Sequence, residues 1–331
     1  MKLIKRNLDV INSNQDLEFL YQFDNFPVFM GCTNEPIEND LHADMCWKIS
    51  KGSGAIQLDP LLPLDILYPE EHGAGSVGEL WMSHHREFAD FIHMHSPKVV
   101  LEIGGGHGIL NLEYQKYKPI DWTILEPNPS PVKGVKAKYI KGFFDNEFRF
   151  DKEVDTVVHS HVFEHVYNPD EFVSHIADFL EVGGQLIFTL PNMDEMLKRK
   201  YTNCINFEHT FFLSEPYIEY LLNKYGFKLN NKKYFKKDHS IFYSFIKAEN
   251  GMENLKLPDD IYEYNRNLYL DYINYHQDLI QKLNEKIKQF DENSSIFLFG
   301  AHVFAQYLIA FGLNVGRVIC LLDNDSNKRG K

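Results

Sequence analysis

The chain has 331 residues, and at roughly 100–200 residues per domain this length predicts two domains, or two and a fragment. Hydrophobic residues make up 44% of the chain and charged residues 24%, which are ordinary globular values, so disorder, collagen and coiled coil are excluded as overall classes. Lysine and arginine total 34 against 47 acidic residues, and the net charge of −13 argues against a nucleic-acid partner, which needs a dominant cationic face.

Residues 1–82 are cut into short pieces by prolines. Apolar residues bounded by turn formers predict short strands at Phe26–Gly31 and Ala55–Leu58. We therefore expect an irregular, β-rich N-terminal module.

Residues 83–248 show a different pattern, in which apolar strands alternate with helix-like stretches such as Asp170–Leu180 and Glu215–Tyr225. The first strand, Lys98–Ile103, is a continuous apolar run of the kind found in buried parallel strands. Further strands are predicted at Trp122–Glu126, Lys138–Ile140, Val154–His159, Gln185–Leu190 and Ile241–Lys247. Strands spaced by helices predict an α/β domain with a parallel sheet covered on both faces.

The C-terminal part begins with a linker at 249–257 and continues as one long amphipathic helix, so that linker and helix together span 249–294. A second α/β unit follows in 295–331, with strands at Ile296–Phe299 and Arg317–Leu322 around a short helix. Three elements make a poor free-standing sheet. We therefore expect that this domain is either incomplete or docked on another part of the chain.

A glycine loop follows the first strand of the core, with Gly104, Gly105, Gly106 and Gly108 directly after Glu102-Ile103. Glycines let the backbone turn sharply and approach a ligand closely. The spacing differs from the G-x-G-x-x-G of dinucleotide-binding loops. Glu102 disfavours a pyrophosphate and suits a cationic ligand such as S-adenosylmethionine. Glu126 ends the next strand, where it can accept hydrogen bonds from both ribose hydroxyls.

These features resemble the class I S-adenosylmethionine-dependent methyltransferases, and the resemblance implies a Rossmann-like core over 83–248 with S-adenosylmethionine as cofactor. It further implies that Phe143 and Phe144 hold the adenine, and that Ser160 and His161 face the methionine part. The main alternative is a dinucleotide-dependent dehydrogenase.

More narrowly, the domain order resembles that of the nucleotide-sugar C-methyltransferases, which implies a nucleotide-linked sugar as substrate, with the N-terminal module on the substrate side. Their catalytic signature is a tyrosine, one residue, then glutamate and histidine; this chain has Asn206-Phe207-Glu208-His209. We expect His209 to act as general base, oriented by Glu208. Further candidate substrate contacts are Asn206, Tyr201, His84 and His165.

Three departures from that family affect the predicted reaction. Cys32 and Cys46 cannot supply a four-thiolate zinc module, the signature tyrosine is absent, and Asp238–Phe242 lacks the glycines and arginine of C-methylating members. The missing groups are those that an enolate requires. We therefore expect methylation of a hydroxyl group on a nucleotide-linked sugar that is used for a bacterial surface polysaccharide. The alternatives are a C-methyltransferase that acts on a nucleotide-linked keto-sugar and a non-catalytic cofactor-binding protein.

Short sequence patterns also bear on metal binding and on membrane insertion. His159 and His161 alternate on a strand and could share a metal, but the resembling family uses none, and C-x-x-C pairs are absent, so we expect no metal. No apolar run approaches the roughly 20 residues that span a bilayer. We therefore expect a cytoplasmic protein without membrane insertion; the oligomeric state is not predicted.

Overall fold

The computed structural model describes residues 2–30, 32, 36–68, 78–249 and 255–330. Gly31, at the end of one expected strand, and 250–254 of the expected linker lie outside the described residues. Among the described residues, no helix combines the length and the apolar character needed to cross a membrane.

The elements are labelled in chain order. The strands are β1 Leu17–Pro27, β2 His42–Ser50, β3 Ile56–Leu58, β4 Val99–Ile103, β5 Asp121–Glu126, β6 Lys138–Lys141, β7 Val154–Ser160, β8 Leu180–Pro191, β9 Phe227–Phe235, β10 Ser240–Lys247, β11 Ile296–Phe299 and β12 Val318–Leu322. The helices are α1 Leu64–Leu67, α2 Glu79–Met94, α3 Ile109–Tyr114, α4 Pro169–Phe179, α5 Met193–Lys198, α6 Glu215–Lys224, α7 Lys236–His239, α8 Ile261–Gln289 and α9 Val303–Ala310.

The chain divides into two compact units that differ from the expected division. Unit 1 comprises Met1–Leu67, Asp194–Phe211 and Asp259–Lys331, and unit 2 comprises Tyr68–Met193 and Phe212–Pro258. The segment 194–211, which the sequence places inside the core domain, therefore belongs with the N-terminal and C-terminal parts.

Unit 2 contains a seven-stranded sheet with the order β6-β5-β4-β7-β8-β10-β9, which is a Rossmann-like class I methyltransferase fold. The strands from β6 to β8 are parallel, as predicted, but β10 runs antiparallel to both β8 and β9. The prediction of a purely parallel sheet is wrong at this edge because β9 and β10 are joined by only the four residues of α7, which is too short for a parallel crossover.

Both faces of this sheet are covered, as predicted. On one face, Phe88 and Phe91 of α2 and Leu110 of α3 share a buried cluster with Val100 and Ile124 of the sheet. On the other face, buried strand residues pack against a set of partly buried aromatic side chains, namely Phe144, Phe148, Phe150 and Phe179. The sheet is therefore rigid, and its strand ends are fixed positions for the loops that follow them.

Unit 1 contains a three-stranded antiparallel sheet, β1-β2-β3, and a parallel pair, β11-β12, with α9 as the connection. Tyr307 of α9 is fully buried, and its ring lies 5.4 Å from the ring of Phe23 and 4.9 Å from the ring of Phe26 on β1. The C-terminal α/β pair is therefore docked on the N-terminal sheet, which is one of the two outcomes expected for it. The long helix α8 is confirmed, and its Tyr269 ring lies 6.1 Å from the ring of Trp47 on β2.

Candidate functional site

The glycine loop of unit 2 follows β4 at the carboxyl edge of the sheet. The loop contains three glycines with positive φ, a backbone conformation that other residues rarely adopt. The φ values are +74° for Gly104, +34° for Gly106 and +71° for Gly108. A Cβ at Gly105 would lie 2.7 Å from Cδ of Glu102 and 2.7 Å from Cγ2 of Ile124. The loop backbone at Gly105 therefore lies directly on the side chains of Glu102 and Ile124.

Glu126 holds this loop from the end of β5. Its Oε2 accepts a hydrogen bond from the Gly106 N–H at 3.0 Å, and its Oε1 accepts one from the Asn128 N–H at 3.0 Å. The side chain is half-buried, so the carboxylate keeps an exposed side next to the loop. This is the position expected for a carboxylate that binds ribose hydroxyls.

Glu102 is placed differently from the open position expected for a cofactor contact. It is 2% exposed, its Oε2 accepts a hydrogen bond from Trp122 Nε1 at 2.7 Å, and it lies beneath Gly105. The pKa of Glu102 is raised to about 7, because burial and the charge of Glu126 raise it by more than the Trp122 hydrogen bond lowers it. Glu102 therefore supports the loop from below, and the half-buried Glu126 is the carboxylate of this strand edge that a cation can approach.

The two phenylalanines expected at the adenine are separated in the structure. The side chain of Phe143 is 46% exposed. The ring of Phe144 instead packs 4.6 Å from the His175 ring and 5.3 Å from the Phe179 ring. Only Phe143 therefore offers a largely accessible face, and Phe144 belongs to the aromatic layer that covers the sheet.

The end of β7 carries Ser160 and His161, and it lies close to the glycine loop, since a Cβ at Gly104 would be 2.6 Å from Cγ2 of Val162. His161 has a φ of +53°, which turns the chain sharply after the strand. Its Nδ1 lies 3.1 Å from Oε1 of the fully buried Glu164, and its Nε2 lies 3.1 Å from Oγ of Ser240.

Glu164 also approaches His165, with 3.8 Å between its Oε1 and His165 Nε2. The Tyr68 hydroxyl lies 3.2 Å from Nδ1 of His165. Glu164 and Tyr68 are not among the site residues predicted from the sequence. The i, i+3 spacing of His161 and Glu164 is the signal that could have paired them.

His84 is buried on α2, although a helical histidine is usually a surface residue. It is fully buried, and its Nε2 lies 3.3 Å from Oγ1 of Thr189. Burial lowers the pKa of His84 strongly, and the neighbouring His161, His85 and His239 lower it further. His159 is also buried, but its ring stacks against Phe188, with 4.8 Å between the ring centroids.

In unit 1, Asn206 organises the loop that carries the expected catalytic pair. Its Oδ1 accepts hydrogen bonds from the Glu208 N–H at 2.8 Å and the His209 N–H at 2.9 Å, and Asn206 is 3% exposed. The Nδ1 of His209 lies 2.9 Å from the Cys204 carbonyl oxygen. This carbonyl orients the ring, a role expected for Glu208. Tyr201, another expected substrate contact, is 37% exposed.

The residues around the glycine loop fit S-adenosylmethionine. The half-buried Glu126 can accept hydrogen bonds from ribose hydroxyls, and its carboxylate beside the glycine loop suits a ligand that carries a positively charged sulfonium. When bound, the cofactor supplies an electrophilic methyl group.

Comparison with known proteins identifies a methyltransferase family. Residues 79–231 match the family described as Methyltransferase domain. None of the curated proteins compared with the chain matches it.

Solved methyltransferases resemble about half of the chain. The magnesium protoporphyrin IX methyltransferase of Synechocystis PCC 6803, solved with bound SAH, is 14% identical, with 53% of this chain and 90% of that chain covered and a TM-score of 0.42. An S-adenosylmethionine-dependent methyltransferase from Clostridium acetobutylicum ATCC 824 is 12% identical, with coverages of 50% and 92% and a TM-score of 0.40. These likenesses are too weak to carry a substrate or a site residue to this chain.

The sheet order, the acidic glycine loop and the family match agree with one another. Residues 79–231 match a methyltransferase domain family, and the chain is an enzyme with methyltransferase activity that uses S-adenosylmethionine as its cofactor.

Proposed function

We propose that this enzyme methylates a hydroxyl group of a nucleotide-linked sugar used for a bacterial surface polysaccharide, with His209 as general base. The observation that carries the proposal is the contact between His209 Nδ1 and the Cys204 carbonyl oxygen at 2.9 Å. A carbonyl oxygen can only accept, so Nδ1 carries the proton, and in the neutral ring the lone pair is on Nε2. That nitrogen is the one able to take a proton from a hydroxyl.

The local structure of the loop favours oxygen over carbon as the methyl acceptor. In the resembling family, a tyrosine occupies the position of Asn206, whose amide oxygen here accepts two backbone N–H groups. Carbon methylation needs donors that stabilise a developing enolate. Methylation of a hydroxyl needs only a positioned oxygen and a base that removes its proton as the oxygen–carbon bond forms. The sugar and its nucleotide carrier come from the family resemblance alone.

The test is a panel of nucleotide sugars incubated with S-adenosylmethionine and the full chain, followed by mass spectrometry and NMR. We expect a product heavier by one CH₂, with the new methyl group on oxygen. A methyl group on carbon would replace the proposal with the C-methyltransferase alternative. Cofactor binding without turnover of any sugar in the panel would favour a non-catalytic protein.

The role of His209 is tested by His209→Asn, because the asparagine amide can still donate to Cys204 but has no nitrogen lone pair that takes up a proton at neutral pH. We expect turnover to fall by a factor of about 100 or more, with cofactor affinity and stability close to those of the parent. His42→Ala, at an exposed histidine on β2 of the same unit, is the matched control. Unchanged turnover of His209→Asn would remove His209 as the base.

A further inference from the structure

Three histidines from distant segments of unit 2 meet beside the end of β7. His84 lies on α2, His161 follows β7, and His239 ends α7. Each offers a ring nitrogen, and these three nitrogens all lie within 4.8 Å of one another. We propose that His84, His161 and His239 bind a divalent transition metal of the zinc class, with one coordination position left for water or an acceptor oxygen. This inference goes beyond the proposed function and does not depend on it.

Each ring is held through one nitrogen by a neighbouring polar group. His84 Nε2 lies 3.3 Å from Thr189 Oγ1, and His239 Nδ1 lies 2.6 Å from Ser240 Oγ. His161 Nδ1 lies 3.1 Å from the carboxylate of Glu164. Histidines that ligate metals are oriented in this way, and a carboxylate partner raises the basicity of the ligating nitrogen.

A buried nitrogen without a partner is the second observation. The side chain of His84 is fully buried, and its Nδ1 has no hydrogen-bond partner among the described residues. An unpaired polar atom in a protein interior is costly. A metal ion would use this lone pair.

An aromatic ring, that of Trp81, lies against all three histidine rings. The Trp81 ring lies 5.3 Å from the His84 ring, 5.0 Å from the His161 ring and 5.1 Å from the His239 ring. An aromatic shell of this kind limits the access of water to a bound ion.

The distances require only a small adjustment on binding. Zinc–nitrogen bonds of about 2.0–2.1 Å place tetrahedral ligand atoms about 3.4 Å apart, so nitrogens that lie within 4.8 Å of one another must close by up to about 1.4 Å. His161 Nε2 is 3.1 Å from Ser240 Oγ and can leave that contact by a small ring rotation, because Ser240 keeps its contact with His239. Three protein ligands are typical of sites that keep a position for water or substrate.

The experiment uses the untagged full chain, stripped with a chelator and titrated with Co²⁺ and then Zn²⁺. We expect one Co²⁺ per chain, with the visible absorption of a four- or five-coordinate ion, and displacement by Zn²⁺. His239→Ala, at a partly exposed position, and His84→Ala should abolish this absorption. His175→Ala, at a histidine of the same unit outside the set, should retain it. Circular dichroism reports whether each variant is folded.

Thr189 supplies a finer test, because it contacts the metal only through His84. Thr189→Val should weaken Co²⁺ binding about 10- to 100-fold, and Thr189→Ser should restore it. The proposal is overturned if the parent protein binds neither ion, if folded His239→Ala binds like the parent, or if His175→Ala loses binding equally. These outcomes concern metal binding alone, so they are separate from any failure of the sugar methyltransferase proposal.

Discussion

In the glycine loop of unit 2, the carboxylate of Glu126 accepts hydrogen bonds from the N–H groups of Gly106 and Asn128. In the loop of unit 1 that carries His209, the amide oxygen of Asn206 accepts from the N–H groups of Glu208 and His209. In each loop, therefore, one side-chain group accepts hydrogen bonds from two backbone N–H groups. This group is a charged carboxylate in Glu126 and a neutral amide in Asn206.

This difference matches what each loop offers to a ligand. Glu126 reaches Gly106 from a neighbouring strand and, because it is half-buried, its charge remains available to a ligand. Asn206 is buried and contacts residues of its own loop, in which His209 is the base that we propose. We therefore expect that Glu126 stabilises the glycine loop and also binds the cofactor, and that Asn206 stabilises its loop alone.

The largest expected effect tests the buried carboxylate below the charged loop. The pKa of Glu102 is about 7, above its ordinary value of 4.5. Between these values the folded protein holds a proton that the unfolded chain has released, so the free energy of unfolding falls as pH rises through this window. The loss reaches up to about 3 kcal/mol above pH 7.

The variant Glu102→Gln keeps an acceptor for Trp122 and cannot titrate. We expect the free energy of unfolding of this variant to change less between about pH 5 and pH 8 than that of the parent protein. Urea denaturation without cofactor measures both. Parallel pH profiles for the two proteins would contradict the raised pKa.

The next effect concerns the charge of Glu126 itself. Hydrogen bonds to charged groups contribute about 1.5–3 kcal/mol, so Glu126→Ala should weaken S-adenosylmethionine binding about 10- to 150-fold by calorimetry. Glu181→Ala, at an exposed carboxylate of the same unit, is the control. An unchanged dissociation constant for Glu126→Ala would show that Glu126 serves the loop alone, as Asn206 does.

A third effect tests the close packing under the glycine loop. A Cβ at Gly105 would lie 2.7 Å from Glu102 Cδ, and a Cβ at Gly142 would meet only Leu125 Cδ1, at 3.5 Å. Overpacking costs about 1–3 kcal/mol, so Gly105→Ala should lower the free energy of unfolding by that amount. Gly142→Ala should be close to neutral, and equal losses for the two variants would argue against a loop seated on Glu102.

The smallest effect concerns the neutral contact in unit 1. Asn206→Ala removes the acceptor for two N–H groups and should cost about 1 kcal/mol of stability. We also expect slower turnover with unchanged cofactor affinity, because the His209 loop loses its support. Asn206→Asp keeps the oxygen and should recover most of the stability. A large loss of cofactor affinity in Asn206→Ala would break the separation between the two loops.

The elements that depend on short sequence patterns were predicted well. The glycine loop, the strand that precedes it and Glu126 at the end of β5 are all where the sequence indicates. The helix α8 and the β11-α9-β12 unit are confirmed as well. Each of these depends on residues a few positions apart, whose spacing determines which face is apolar and where the backbone must turn.

Tertiary structure alone decided the environments of single side chains. Glu102 is buried because Trp122, twenty residues later, lies beside it on the neighbouring strand. His84 is buried because segments far along the chain, ending at His161 and His239, pack against its helix. The spacing of residues along the sequence determined the individual strands and helices and the glycine loop after β4. Burial, pKa and side-chain partners depended on contacts between distant segments, which form only when the sheet and its helices pack together.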